Sequence, residues 1–152
     1  MRIVGFCGGD PQRQGQNPNL DDDRITINLD SMTDDMEKDG RVVLEGIFFD
    51  FDKSSLKPES TPALEVVSAY LNANPDRSFY VVGHTDSKGQ LDYNRTLSSD
   101  RANAVVSELN KAYGVGNSQM VPFGIGPVSP GTTNSTEEGR ARNRRVELVA
   151  QD

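Results

Sequence analysis

The chain has few of the residues that build disulfide frameworks, metal cages or membrane spans. Its 152 residues include one cysteine, Cys7, and one histidine, His84, which excludes a disulfide framework and any thiolate or imidazole metal cage. Its apolar runs are only a handful of residues long, whereas a helix needs about 20 to cross a bilayer. The segment 1–7 is too short for a signal peptide, so the sequence leaves the export route and any membrane tether open.

Basic residues are also scarce, with 16 lysines and arginines against 23 aspartates and glutamates and a net charge of −7. An acidic chain lacks the charges that neutralise phosphates, so we expect no nucleic-acid partner. Residues 8–24 are rich in Gly, Pro, Asn and Asp and cannot bury enough surface to fold alone. We therefore predict a partly flexible N-terminal arm at 1–40 and one domain at 41–152.

Hydrophobic periodicity predicts the helices and strands of both regions. We expect an α+β domain in the order β-α-β-α-β-(loop or short helix)-β, with the helices packed on one face of a small mixed sheet. Ser31, Thr61 and Ser98 are the expected helix caps, and Gly40 and Gly114 are expected stops. The predicted strands lie at 25–29, 41–52, 77–84, 119–126 and 143–150, and the predicted helices at 31–40, 61–72 and 98–113.

Asp86 and Arg101 are the strongest candidates for binding. Asp86 follows a predicted strand, and Arg101 comes three residues after the predicted cap Ser98, where the helix dipole disfavours a cation. A residue that contradicts a local preference is a candidate for function, and an acid beside a guanidinium can bind a zwitterion. The alternatives are a turn-capping role for Asp86 and an ion pair of Arg101 with Asp86 or Asp92.

His84 is the residue type most often used as a general base near neutral pH. The sequence offers it no convincing nucleophile, so we interpret it as structural. The acidic run 21–23 lacks the glycine and the final glutamate of a calcium loop, and we expect no metal and no cofactor.

Four arginines form the only basic cluster: Arg140, Arg142, Arg144 and Arg145. One interpretation is a solvated face in which an arginine pairs with Glu137, Glu138 or Asp50. The other is that the cluster lines the site of an acidic ligand.

Three motifs in order resemble the OmpA-like domain family. They are IFFDFDKSSLKPES at 47–60, VVGHTDSKGQLDYNRTLSSDRA at 81–102 and EEGRARNRRVEL at 137–148. The resemblance implies the fold of OmpA C-terminal domains and noncovalent binding to the peptide stem of peptidoglycan, usually at diaminopimelate. It also implies a non-catalytic wall anchor in the periplasm of a Gram-negative bacterium, at the cell wall or outer membrane.

The same resemblance assigns ligand-binding positions one by one. Asp86 would accept hydrogen bonds from the ammonium of diaminopimelate, and Arg101 would hold its carboxylate. The full set is the main pair Asp86 and Arg101, the supporting residues Asn94 and Arg144, and backbone contacts at Phe51 and Asp52.

Two other functions stay open at this point. A hydrolase would use Asp86 or Glu138 as acid and His84 as base, although the sequence shows no readable carboxylate pair and no metal set. A protein-interaction or oligomerisation module, including a homodimer, is compatible with wall binding. Lipidation at Cys7 has weak support, because the residue before it is not small.

Overall fold

Four helices and one four-stranded sheet make up residues 28–152, the part of the chain that the computed structural model describes. Their order confirms the predicted α+β fold. Short 3₁₀ turns precede α2 and β3. The elements are α1 (Leu29–Asp39), β1 (Arg41–Val43), α2 (Thr61–Ala73), β2 (Phe79–Gly83), α3 (Leu91–Tyr113), β3 (Met120–Gly124), α4 (Glu137–Asn143) and β4 (Val146–Ala150).

The sheet is mixed, with the strand order β1-β4-β2-β3. β4 lies antiparallel to β1 and β2, while β2 and β3 run parallel and are joined through α3. Phe79 and Val81 of β2 are buried under the helices, and Tyr80 between them is exposed on the opposite face. Pro122 lies in β3 at the edge of the sheet, as the missing N–H of proline predicts.

The core lies between the helices and one face of the sheet. The stripe predicted for the second domain helix contributes Ala102, Val105 and Leu109, which are fully buried, while Val106 and Tyr113 are partly buried. These positions recur at helical spacing, which confirms the stripe.

Helix α1 begins with a capping box. The side chain of Asn28 accepts a hydrogen bond from the Ser31 N–H at 2.8 Å, and the Ser31 hydroxyl accepts one from the Asn28 N–H at 3.2 Å. The predicted helix is confirmed, but Asn28 caps it instead of Ser31. The predicted strand at 25–29 is wrong at Leu29, which is helical, and 25–27 lie outside the described residues.

The first strand of the domain is much shorter than predicted. The extended pairing of 41–52 stops at Val43, and the chain turns at Gly46, whose φ is +88°. Phe49 makes only an isolated bridge with Leu56. Aromatic residues favour strands, but Gly46 and the aspartates beside the phenylalanines, Asp50 and Asp52, favour turns. The stretch after Val43 is therefore a loop.

Helix α3 is longer than predicted, because it begins at Leu91 and not at Ser98. Ser98 is buried inside the helix, where its hydroxyl donates to the Arg95 carbonyl at 2.9 Å and accepts from the Gly126 N–H at 3.0 Å. A serine that bonds back to its own helix does not cap it. Thr61 likewise proves to be the first residue of α2 and not its cap.

Two glycines let α3 lie directly on the ends of β2 and β3. Gly83 and Gly124 are partners in the parallel ladder. A Cβ on Gly83 would overlap the Ser98 carbonyl, and one on Gly124 would overlap the Ser99 backbone nitrogen. This close contact sets the position of α3 relative to the loop that follows β2.

In residues 28–152, no helix is both long enough and apolar enough to cross a membrane.

Candidate functional site

One open groove of about 1680 Å³ contains every residue that the sequence predicted for ligand binding. Its walls come from the loop after β1, the loop after β2, helix α3 and the end of α4. We call it the site groove. The six predicted residues that line it are Phe51, Asp52, Asp86, Asn94, Arg101 and Arg144.

Asp86 is buried in the loop after β2 and both of its oxygens are engaged. Oδ1 accepts a hydrogen bond from the Lys88 N–H at 2.9 Å, which is the turn-capping role considered above. Oδ2 accepts from Nη1 of Arg144 at 2.6 Å, so Asp86 is also one half of an ion pair. A charge-assisted bond of this length holds the carboxylate in one orientation.

Arg144 connects two carboxylates at the end of α4. Its Nη2 donates to Oε2 of Glu137 at 2.8 Å, while Nη1 is bound to Asp86. Burial alone would lower the pKa of Arg144, but the hydrogen bonds to Glu137 and Asp86 outweigh it and raise the pKa. The bond to Arg144 lowers the pKa of Glu137. The pairing of the arginine cluster with Glu137 is therefore confirmed.

Arg101 is held by the loop after β1. Its Nε donates to the Lys53 carbonyl at 2.8 Å, and its guanidinium lies 4.9 Å from the centre of the Phe49 ring. Burial lowers the pKa of Arg101 and Asp52 opposes that shift, and the side chain stays charged at neutral pH. Among residues 28–152, Nη1 and Nη2 have no hydrogen-bond partner, and both belong to a side chain that lines the groove.

This geometry corrects two sequence interpretations of Arg101. The residue lies ten positions after Leu91, well inside α3, so the helix dipole at the N-terminus does not act on it as predicted. Its close contacts are with Lys53 and Phe49, whereas Asp86 takes Arg144 as its ion-pair partner.

The turn at 50–53 carries Phe51 and Asp52. Asp52 is the one non-glycine residue in the described chain with a positive φ, at +58°, a conformation that aspartate adopts at turns more readily than most residues do. The Tyr93 hydroxyl donates to Oδ1 of Asp52 at 2.6 Å and holds the turn against α3. This bond raises the pKa of Tyr93. Sequence reasoning missed Tyr93, because nothing near it in the chain signals a partner 41 residues away.

Asn94 supports the loop that carries Asp86. It is buried in α3, and its amide donates to the Lys88 carbonyl at 2.8 Å. Gly89, the next residue of that loop, has a φ of +92°, a conformation that favours glycine. Asn94 therefore fixes the loop from below while its own side chain lines the groove.

His84 lies outside the groove. It is buried, its backbone N–H donates to the Arg145 carbonyl at 2.8 Å, and its Nε2 is 3.7 Å from Oε2 of Glu147. Burial lowers the pKa of His84 to about 4, with Arg145 adding to the shift and Glu147 opposing it. The ring is thus neutral at pH 7 and does not line the groove that contains Asp86, which supports the structural interpretation.

The site groove brings together charges of both signs at short range. Asp86 and Arg144 form an ion pair of 2.6 Å near the ends of β2 and α4, and Arg101, from inside α3, lines the same groove. A ligand with an ammonium and a carboxylate on one carbon matches that pattern, because each of its charges meets an opposite one. Within residues 28–152 no group of three His, Cys, Asp or Glu side chains is placed to hold a metal ion.

The fold is a small α+β domain with a groove lined by charged residues at one end of its sheet. The OmpA family model matches residues 48–144, and the chain belongs to this family. The sequence resemblance given above is therefore confirmed.

Known relatives agree with this assignment. Outer membrane porin F of Pseudomonas aeruginosa is 44% identical over 107 residues, which cover 70% of this chain and 30% of that protein. The peptidoglycan-binding protein ArfA of Mycobacterium bovis is 40% identical over 103 residues, covering 68% of this chain and 31% of that protein. The chain thus spans about a third of the length of these two curated relatives.

A solved structure shares the fold. The peptidoglycan-associated lipoprotein from Burkholderia pseudomallei has a TM-score of 0.63 and 35% sequence identity, covering 69% of this chain and 88% of that chain.

Proposed function

We propose that the chain binds peptidoglycan noncovalently at the diaminopimelate of the peptide stem and anchors an envelope protein to the wall. The observation that carries the proposal is the convergence of Asp86, Arg144 and Arg101 in one groove. The printed names of two relatives, a peptidoglycan-binding protein and a peptidoglycan-associated lipoprotein, support the same polymer. The place of action that follows is the periplasm of a Gram-negative bacterium, at the wall or the outer membrane.

Binding would replace internal charge pairs with pairs to the ligand. The ammonium of diaminopimelate takes a place at Asp86, in competition with Nη1 of Arg144. Its carboxylate meets the Nη atoms of Arg101, which are already aimed by the Lys53 carbonyl and the Phe49 ring. Each such charge-assisted bond contributes on the order of 1.5–3 kcal/mol before desolvation costs.

Co-sedimentation with purified peptidoglycan tests the proposal. We expect Asp86→Ala and Arg101→Ala each to lower binding by at least tenfold, since each removes a charged partner of the ligand. Asp92→Ala and Arg95→Ala are matched controls on the exposed surface of α3 and should bind like the unmodified chain. Unchanged sedimentation of both groove variants would show that the site is misplaced.

Competition by free amino acids separates diaminopimelate from a general preference for amines. Diaminopimelate should displace the protein from the wall, whereas lysine, which lacks the distal carboxylate, should displace it far less. If lysine and diaminopimelate compete equally well, Arg101 does not contribute to recognition of the ligand.

The hydrolase alternative has little support in the geometry, because His84 does not line the groove that holds Asp86. Release of soluble muropeptides by the purified chain is the measurement that would restore it. A homodimer stays a prediction, which the mass in solution checks.

A further inference from the structure

Phe51 is the most exposed large hydrophobic side chain in the described part of the protein, with 95% of its surface open to solvent. It stands at the tip of the turn 50–53, on the rim of the site groove. An exposed aromatic ring on the rim of a groove is available to pack against a ligand bound there. The family resemblance implies only a backbone contact at Phe51, which leaves the ring itself without a role.

The turn that presents Phe51 is held in place from two sides. Tyr93 binds the Asp52 carboxylate at 2.6 Å, and Arg101 binds the Lys53 carbonyl at 2.8 Å. Asp52, between Phe51 and Lys53, has a φ of +58°, in the left-handed region that aspartate tolerates at turns. A ring on a fixed turn loses little conformational freedom when a ligand packs against it.

A second, smaller hollow adjoins the groove at this turn. Its volume is about 330 Å³, and it shares Asp52, Tyr93 and Leu97 with the groove. Its lining combines the half-exposed Tyr93 ring with hydroxyl and carboxylate groups. The polar residues of the lining are Asp52, Lys53, Ser54, Ser55, Thr96 and Asp100.

We propose that this hollow and the Phe51 ring form a subsite for an amino-sugar ring of the glycan strand. A pyranose offers one face of C–H groups, which packs on aromatic rings, and a rim of hydroxyls, which bond to hydroxyl and carboxylate side chains. The Tyr93 ring in the hollow and the Phe51 ring on the neighbouring rim of the groove offer the apolar contact, and the hydroxyl and carboxylate groups of the hollow offer the polar one. This inference rests on the proposed function, in which the groove holds the peptide stem.

The distances fit a ligand that occupies both places. Lys53 contacts Arg101 directly, and Phe51 is two residues from Lys53, so their Cα atoms are at most about 8 Å apart. The stem between the distal centre of diaminopimelate and the sugar includes the diaminopimelate side chain, γ-linked D-glutamate and L-alanine, so its reach exceeds the roughly 7 Å of two extended residues. A stem bound at Asp86 and Arg101 is therefore long enough for its sugar to reach the turn.

Titration of the full chain with two ligands tests the subsite. One is the tripeptide L-alanyl-γ-D-glutamyl-diaminopimelate, and the other is the same tripeptide attached to its disaccharide. The unmodified chain should bind the disaccharide form roughly three- to tenfold more tightly. Phe51→Ser and Asp100→Ala should each reduce this gain, and Asp100→Ala, which lies outside the groove, should leave tripeptide affinity within about twofold. Phe51→Tyr should keep the gain.

Phe123→Ser is the matched control, because Phe123 is another exposed phenylalanine that lines neither the groove nor the hollow. It should bind both ligands like the unmodified chain. Equal affinity of the unmodified chain for the two ligands, with tripeptide binding that still depends on Asp86, would overturn the sugar subsite alone. A loss of affinity for both ligands in Phe51→Ser would assign the ring to the peptide. No binding of either ligand would overturn the proposed function and the subsite with it.

Discussion

At the scale of single residues, His84 is buried beside Glu147, Arg145 and Arg41, three charged residues that also line the groove. Glu147 is buried beside it and accepts a hydrogen bond from Nε of Arg145 at 2.6 Å, and Arg41 lies 3.8 Å from the other Glu147 oxygen. The two ring nitrogens of His84 have no hydrogen-bond partner within residues 28–152. A proton on this ring would be buried next to Arg145, which is why the neutral form is favoured.

Acidification should therefore destabilise the fold through His84. Because burial lowers the pKa of His84 from 6.5 to about 4, the unfolded chain binds the proton first. The contribution of His84 is complete above pH 6.5 and is lost as the pH falls towards 4, by about 3 kcal/mol in total. Urea unfolding at pH 7 and pH 4 should show that His84→Leu loses less stability on acidification than the unmodified chain.

The Leu variant also serves as its own check at neutral pH. It removes no hydrogen bond, so its free energy of unfolding at pH 7 should stay within about 1.5 kcal/mol of the unmodified value. If the unmodified chain and the variant lose equal stability between pH 7 and pH 4, His84 is not the titrating group.

The identity of the groove residues was more predictable than their pairing. Asp86 and Arg101 stand in a recognisable motif, but Asp86 pairs with Arg144, 58 residues further along the chain. Local sequence contains no signal for a partner so distant. The carbonyl that binds Arg101 belongs to Lys53. Every residue has a backbone carbonyl, so the sequence does not indicate which one a side chain will contact.

At the scale of elements, the position of α3 depends on the two glycines beneath it. Gly83 and Gly124 lie side by side in β2 and β3, and the backbone of Ser98 and Ser99 rests on them. The same helix carries Asn94 and Arg101 into the groove. A shift of α3 away from the strands would therefore alter the fold and the site together.

Adding one methyl group at this contact should be costly. Gly124→Ala places a Cβ against the Ser99 backbone nitrogen, which cannot move without the helix, so we expect a loss of about 1–3 kcal/mol or more. Chemical denaturation measures it. Gly116→Ala is the control, since its Cβ would have only the Ser118 hydroxyl near it, at 4.0 Å. Equal stability of the two variants would mean that α3 does not rest on Gly124.

The misjudged start of α3 has a physical cause at the same scale. Ser98 has the chemistry of a cap, and Gln90, the residue that does precede the helix, makes no side-chain cap bond. Tertiary contacts decide where the helix starts. The Ser98 hydroxyl already bonds to Arg95 and Gly126, so it does not cap a helix end. Long stripes such as Ala102, Val105 and Leu109 are predictable because periodicity alone defines them.

At the scale of the whole molecule, α1 is part of the packed core. Met32 and Met36 are buried, at 0% and 2% exposure, in the same cluster as the residues of α2 and the sheet. The last third of the predicted arm thus packs on the domain. The division of the chain at residue 40 stays a prediction.

Truncating one of these side chains tests how much α1 contributes. Met32→Ala should lower the free energy of unfolding by about 2–5 kcal/mol, the range for cavities left by large apolar side chains. Asp34→Ala, on the exposed side of the same helix, should have an effect within about 0.5 kcal/mol. Thermal or urea unfolding gives both values. Similar stability of the two variants would place α1 outside the cooperative unit.

The walls of the site groove come from segments that are distant in the chain, around residues 52, 86, 101 and 144. No unfolded or half-folded chain can hold them together, so a ligand there binds the native state alone. By mass action such a ligand at a hundredfold excess over its Kd adds about 2.7 kcal/mol to the stability of the protein. Under mechanical load, the domain would therefore resist unfolding best while it is bound to the wall polymer, because the bound polymer stabilises the folded state.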